Sequence, residues 1–110
     1  MRLIIAGAGA VGRHLAKLLS REDMDISLID DRQDRLGDLD ANYDLLTKVG
    51  SPMSIHDLKS IGVKDVVLFI AVTPSESDNI TACLLANQLG AKKTLARIDN
   101  YEYLMPENKR

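Results

Sequence analysis

Leu3-Ile4-Ile5-Ala6-Gly7-Ala8-Gly9-Ala10-Val11-Gly12 opens the chain with four apolar residues that run straight into a G-x-G-x-x-G pattern. An amphipathic stretch follows without a break. A strand, a glycine turn and a helix in that order form the start of a dinucleotide-binding βαβ unit. Each glycine has its own job there. Gly7 permits the tight turn out of the strand. Gly9 leaves room for the backbone to approach a pyrophosphate. Gly12 lets the helix pack close to the sheet. The helix start at Ala10 and Val11 offers open N–H groups and positive dipole density to an anion. Glycines at this spacing also make plain turns, so the context matters. Asp30 ends the second apolar run, 18 residues beyond Gly12, close to the roughly 20 expected of such a unit. A carboxylate there accepts hydrogen bonds from a ribose diol and repels a 2′-phosphate, which favours NAD over NADP. Arg32 either lies over an adenine face through its planar guanidinium or sits in solvent at a helix start.

The same alternation continues down the chain. Further apolar runs are Ile26–Ile29, Leu45–Val49, Val66–Val72 and Thr94–Ile98. They do not alternate apolar with polar residues, which fits strands covered on both faces. Helical spacing is expected over residues 10–21 (Val11, Leu15, Leu18 and Leu19 on one side), 32–40, 54–60 and 75–89 (Ile80, Leu84 and Leu85). Ser54 is an N-cap candidate with Asp57 three residues on, and Gly90 is a C-terminal stop. A further turn or helix is expected after Asn100. Strand–helix repetition means a parallel sheet with right-handed crossovers. The expected architecture is a Rossmann-like three-layer αβα sandwich, strand order 3-2-1-4-5, ending before the last strand of a complete unit. Pro52, Pro74 and Pro106 all fall at expected junctions.

Length and composition narrow the function classes. At 110 residues the chain is one domain, residues 1–110, with no room for a separate substrate domain. Fourteen basic against 16 acidic residues give a net charge of −2, without the basic footprint of a nucleic-acid binder. No apolar run approaches the roughly 20 residues of a membrane-spanning helix. The opening Met1–Gly7 reads as a strand, not a targeting segment. Cys83, the single cysteine, fits a reducing cytoplasmic setting and a buried structural thiol. His14 and His56 fall in different elements with no partner ligands, so no metal site or catalytic constellation emerges.

Later motifs carry a family likeness. Ala71-Val72-Thr73-Pro74-Ser75-Glu76-Ser77-Asp78-Asn79 runs on into Ala82-Cys83-Leu84-Leu85-Ala86, and Ala96-Arg97-Ile98 closes the pattern. With the opening motif and Ile29-Asp30, these resemble the N-terminal domain family of TrkA, the KTN or RCK nucleotide-binding domain of Trk potassium uptake systems. The likeness spans nearly the whole chain. It implies a cytoplasmic regulator without enzymatic activity. NAD or NADH, and also ATP or ADP, would bind at the carboxyl ends of the strands. A homodimer or ring would sit on a membrane-embedded potassium transporter subunit, with no direct membrane insertion, and nucleotide exchange would gate potassium flux. Carried onto this chain, the glycine loop holds phosphates, Asp30 the adenosine ribose, Arg32 lies beside adenine and Thr73 closes the far side of the cleft. Glu76 and Asn79 lie near the ligand or a dimer partner, or are ordinary helix-start residues. Arg97 reaches a phosphate at the subunit interface, or is a solvated strand end. The family often carries Gly-Asp after the third strand, where this chain has Gly50-Ser51, so adenine contacts there fall to backbone groups and the Ser51 hydroxyl. The family also continues beyond this length, so a fragment of a longer protein is expected. The alternative reading, from the glycine motif alone, is the cofactor-binding half of an NAD-dependent dehydrogenase.

Overall fold

Five parallel strands pair in the order β3-β2-β1-β4-β5, as expected. The computed structural model describes residues 1–37, 39 and 43–99. The strands are β1 (Arg2–Ala6), β2 (Asp25–Asp30), β3 (Leu46–Val49), β4 (Leu68–Ala71) and β5 (Thr94–Ala96). Helices α1 (Ala10–Leu19), α2 (Ile55–Ser60) and α3 (Glu76–Gln88) connect them.

The unbroken apolar runs follow from two core layers. Side chains alternate across a strand. Ile4, Ala6, Ile29, Phe69 and Ala71 face Leu58 of α2 and Ala82, Cys83 and Ala86 of α3. Leu3, Ile5, Ile26, Leu28 and Ile70 face the other way, against Ala16 of α1 and the buried Leu36, Leu39 and Leu45. Both faces of β1 and β2 are therefore dry. Each large side chain so buried contributes about 1.5–3 kcal/mol.

The helices meet the sheet differently from the expected apolar faces. Gly12 and Ala16 are the buried residues of α1, while Val11 and Leu18 are exposed. Asn79, Ala82, Cys83 and Ala86 are buried on α3, while Leu84 is 62% exposed. Small residues form the contact stripe because they let the helix backbone approach the sheet closely. The larger ones are pushed to its flanks.

The segment expected as a helix over 32–40 opens differently, and residues 38 and 40 lie outside the described residues. A single 3-10 turn, Gln33–Arg35, follows β2. The Arg32 N–H donates to the Asp30 carboxylate at 2.8 Å, which bends the chain as an Asx turn does. Leu36 and Leu39 are the buried ones among the described residues there. Strand β5 is shorter than its apolar run, and β4 begins two residues later than its own. The element expected after Asn100 lies outside the described residues.

Caps and stops fall where the sequence places them. The Ser54 Oγ accepts from Asp57 N at 3.1 Å, and Ser75 Oγ accepts from Asp78 N at 3.2 Å. Gly90, with φ +113°, ends the segment after α3. Helix α1 begins instead at Gly9, and no side chain caps it.

Candidate functional site

The carboxyl ends of the strands converge on one cleft of about 380 Å³. It lies where β1 and β4 leave the sheet in opposite directions, the switch point at which open α/β sheets bind ligands.

The glycine loop forms its middle. Gly7 lines the cleft and has φ +109°. A Cβ there would stand 3.0 Å from the Thr73 nitrogen. A Cβ on Gly12 would overlap the Gly7 carbonyl, so α1 packs on the turn itself. Gly9 differs from both. Its φ is −73°, and a Cβ on it would meet nothing within 4 Å. No contact inside the described protein requires a glycine at that position. Ala10 and Val11 begin α1 beside it and are exposed.

Asp30 anchors this loop. It is 4% exposed at the end of β2. Its Oδ2 accepts from Ala8 N at 2.7 Å, and its Oδ1 from Arg32 N. Arg35 approaches Oδ2 at 3.5 Å. The carboxylate ties the glycine loop of β1 to the end of β2 before any ligand arrives. Oδ1, with a single donor, keeps a lone pair for a further one.

The β2 and β3 ends make one wall. Arg32 lies flat against Asp34, its Nε and Nη2 donating to the two carboxylate oxygens at 3.2 and 2.8 Å. This hydrogen bond, with the opposite charge of each partner, raises the Arg32 pKa and lowers that of Asp34. Opposite stand Ser51, Pro52 and Met53. Their turn is held by Asp57 of α2, which accepts from Ser51 N at 3.0 Å, while Ser51 Oγ accepts from Met53 N at 3.1 Å. Gly50 stands behind, where a Cβ would come within 2.8 Å of the Asp57 carboxylate.

The β4 end makes the other wall, from Thr73, Pro74, Ser75 and Asp78. Asn79 lies behind it at 1% exposure. The Asn79 Oδ1 accepts from Thr73 N at 2.9 Å and Thr73 Oγ1 at 2.7 Å. Its Nδ2 donates to the carbonyls of Thr73 and Arg97, both at 3.0 Å. One side chain thus joins the ends of β4 and β5 to α3.

Of the residues picked from the sequence, Gly7, Asp30, Arg32, Ser51 and Thr73 come together as lining. Gly12 and Gly50 support it from behind. Gly9, Ala10, Val11, Glu76, Asn79 and Arg97 lie outside the lining. Arg97 pairs with Asp99 at 3.0 Å through its Nε. Sequence reasoning missed Arg35, Pro52, Met53, Ser75 and Asp78. Pro52, Met53 and Ser75 were findable as the residues just past a strand end. Arg35 and Asp78 needed the phase of the following turn or helix.

Among the described residues, no cluster of His, Cys, Asp and Glu could hold a metal ion, and no helix is long and apolar enough to cross a membrane. Cys83 is buried, and desolvation raises its thiol pKa.

Comparison with known proteins places this geometry. The TrkA-N domain model matches residues 3–108. The Trk system potassium uptake protein TrkA of Haemophilus influenzae is 42% identical over 110 residues, which cover 99% of this chain and 24% of that protein. The chain thus spans about a quarter of the length of this relative. Among solved structures, a GsuK channel bound to NAD superposes with a TM-score of 0.75 at 20% identity, over 97% of this chain and 20% of that one. The Shewanella denitrificans Kef CTD in AMP-bound form superposes with a TM-score of 0.78 at 22% identity, over 94% of this chain and 65% of that one. At these identities the two superpositions speak to the shared Rossmann-like fold.

Proposed function

The chain belongs to the TrkA-N domain family, and from that premise we propose that it is a non-enzymatic, regulatory nucleotide-binding domain of a Trk-type potassium uptake system. Its ligand is NAD or NADH, with ATP or ADP as competitors for the same cleft. The base sits between Arg32 and the Pro52-Met53 turn, and Asp30 takes the ribose diol. The phosphates sit at Gly9, Ala10 and Val11, where α1 begins with no side-chain cap. Thr73 borders the second half of the ligand. On the family resemblance alone, Glu76, Asn79 and Arg97 are assigned to the ligand or to a second copy of the domain. The domain works on the cytoplasmic face as a homodimer or ring on a membrane-embedded transporter subunit. Ligand exchange changes its shape and gates potassium flux.

Gly9 carries the ligand half of this reading. Gly7 and Gly12 are explained by contacts within the protein, whereas the missing side chain of Gly9 opens only onto solvent beside the cleft. A ligand backbone of phosphates is what such a gap admits. The names of the GsuK and Kef structures, bound to NAD and AMP, support the ligand class.

Thermal unfolding with NAD, NADH, ATP, ADP and NADP tests the binding. A ligand at 100 times its Kd stabilises by about 2.7 kcal/mol. NADP should shift the curve least. No shift with any adenine nucleotide at millimolar concentration refutes the reading. For the regulatory half, rubidium flux into vesicles bearing the transporter should respond to NAD only when a protein containing this domain is present.

A further inference from the structure

We infer that Asp78 makes this cleft retain dinucleotides in preference to nucleoside triphosphates. The inference rests on the nucleotide-binding reading above and adds which adenine nucleotides the site keeps.

The sheet order sets the direction of a bound ligand. The segments after β3 and β2 form one end of the cleft, the glycine loop after β1 its middle, and the segment after β4 its far end. The two cations of the lining, Arg32 and Arg35, both stand at the first end, against Asp34 and Asp30. The far end has Thr73, Pro74, Ser75 and Asp78 and, among the described lining residues, no lysine or arginine. Asp78 is held in place by its own backbone, whose N–H goes to Ser75 Oγ. Its carboxylate has no hydrogen bond or ion pair among the described residues. It is a partly buried, uncompensated negative charge facing the cleft.

That charge treats two ligand classes differently. A dinucleotide carries its two diester phosphates in the middle, at the glycine loop. Its second ribose then reaches the far end with hydroxyl donors, which a carboxylate accepts well. A triphosphate sends its terminal phosphate the same way. There it meets like charge against the protein surface, where repulsion between charges is stronger than in bulk water. Asp78 is therefore a specificity residue, built into the first turn of α3 and separate from the Asp30 that chooses the ribose.

Isothermal titration of the 110-residue chain with NAD, ADP and ATP in EDTA tests this. The variants are Asp78→Asn and Asp78→Ser. Glu22→Gln, an exposed carboxylate in the turn between α1 and β2, controls for net charge. Wild type should bind NAD more tightly than ATP. Both Asp78 substitutions should tighten ATP by about tenfold, the effect of removing one unit-charge repulsion near a surface. ADP should gain less, and NAD should not gain. Glu22→Gln should change none of them. If NAD binds and the ATP-to-NAD ratio is the same in wild type and both Asp78 variants, Asp78 has no selecting role and nucleotide binding stands. An equal shift in Glu22→Gln overturns the inference in the same way. If no nucleotide binds any of the four proteins, the inference and the underlying reading fall together.

Discussion

Asn79→Ala should be among the most damaging single substitutions on the β4 side of the cleft. The change deletes a buried amide that serves Thr73 N–H, Thr73 Oγ1 and the carbonyls of Thr73 and Arg97. Three of those four partners are backbone groups with nowhere else to turn in the described structure. Leaving a buried polar group unmatched costs about 1–3 kcal/mol. Thr73 is half-buried, and water reaches part of it, so the low end applies to each. The sum is about 3 kcal/mol, which in a domain of this size lowers Tm by roughly 10–15 °C. Asn79→Asp sharpens the test. It keeps one acceptor for Thr73, but turns a second oxygen towards two carbonyls. The charged form is disfavoured by burial and by those carbonyls, so the folded pKa of this aspartate rises above its unfolded value. Stability linked to its proton is then present at low pH and lost as pH rises through the folded pKa. The gap between wild type and Asn79→Asp should therefore narrow as pH falls. Urea unfolding followed by far-UV circular dichroism measures both variants, since the chain has no tryptophan to report. A loss below about 1 kcal/mol for Asn79→Ala, or a pH-independent gap for Asn79→Asp, would refute the role of the amide as a tie between strand ends.

Three further outcomes follow from the glycine loop and the core. Gly12→Ala should lose at least about 2 kcal/mol, because its Cβ overlaps the Gly7 carbonyl. Gly9→Val should stay within about 1 kcal/mol of wild type while weakening NAD by more than tenfold. Equal stability losses in the two, by urea unfolding, would contradict their different surroundings. Cys83 should react with a disulfide reagent only as fast as the domain opens, because burial raises its thiol pKa and hides it. A rate in native buffer close to that in urea would show that α3 does not cover it.

Much of this was legible from the chain. The strand order was reached from the alternation of apolar runs with helical stretches, since right-handed crossovers leave few ways to arrange five parallel strands. The glycine motif and Asp30 marked the middle of the cleft, because the backbone itself imposes them. What escaped has a common cause. Val11, Leu18 and Leu84 look like core residues in a periodic pattern, yet α1 and α3 lie so near the sheet that mainly small residues, Gly12, Ala16, Ala82, Cys83 and Ala86, fit beneath them. The helix expected from residue 32 opens instead as a 3-10 turn at Gln33–Arg35, because the Asp30 carboxylate captures the Arg32 N–H, a tertiary choice that no local propensity contains. Asn79 reads from the sequence as a residue near the ligand or a dimer partner, or as an ordinary helix start, and its burial behind Thr73 depends on where β5 ends. Asp78 does not stand out in the sequence, because its place on the cleft depends on the phase of α3.

The place of β1 in the sheet bears on how the chain is made. On one edge it pairs with β2, the next strand along the chain, Leu3 against Ile26. Its other edge waits for β4, where Leu3 meets Leu68. Until that segment leaves the ribosome, an apolar strand carries a row of unpaired N–H and carbonyl groups on an open side. Such an edge invites pairing with another nascent chain. Closing it brings together segments far apart along the polypeptide, a slow step for a domain of this size. The arrival of β4 thus both completes the cleft and ends the period in which the newborn domain is most prone to aggregate.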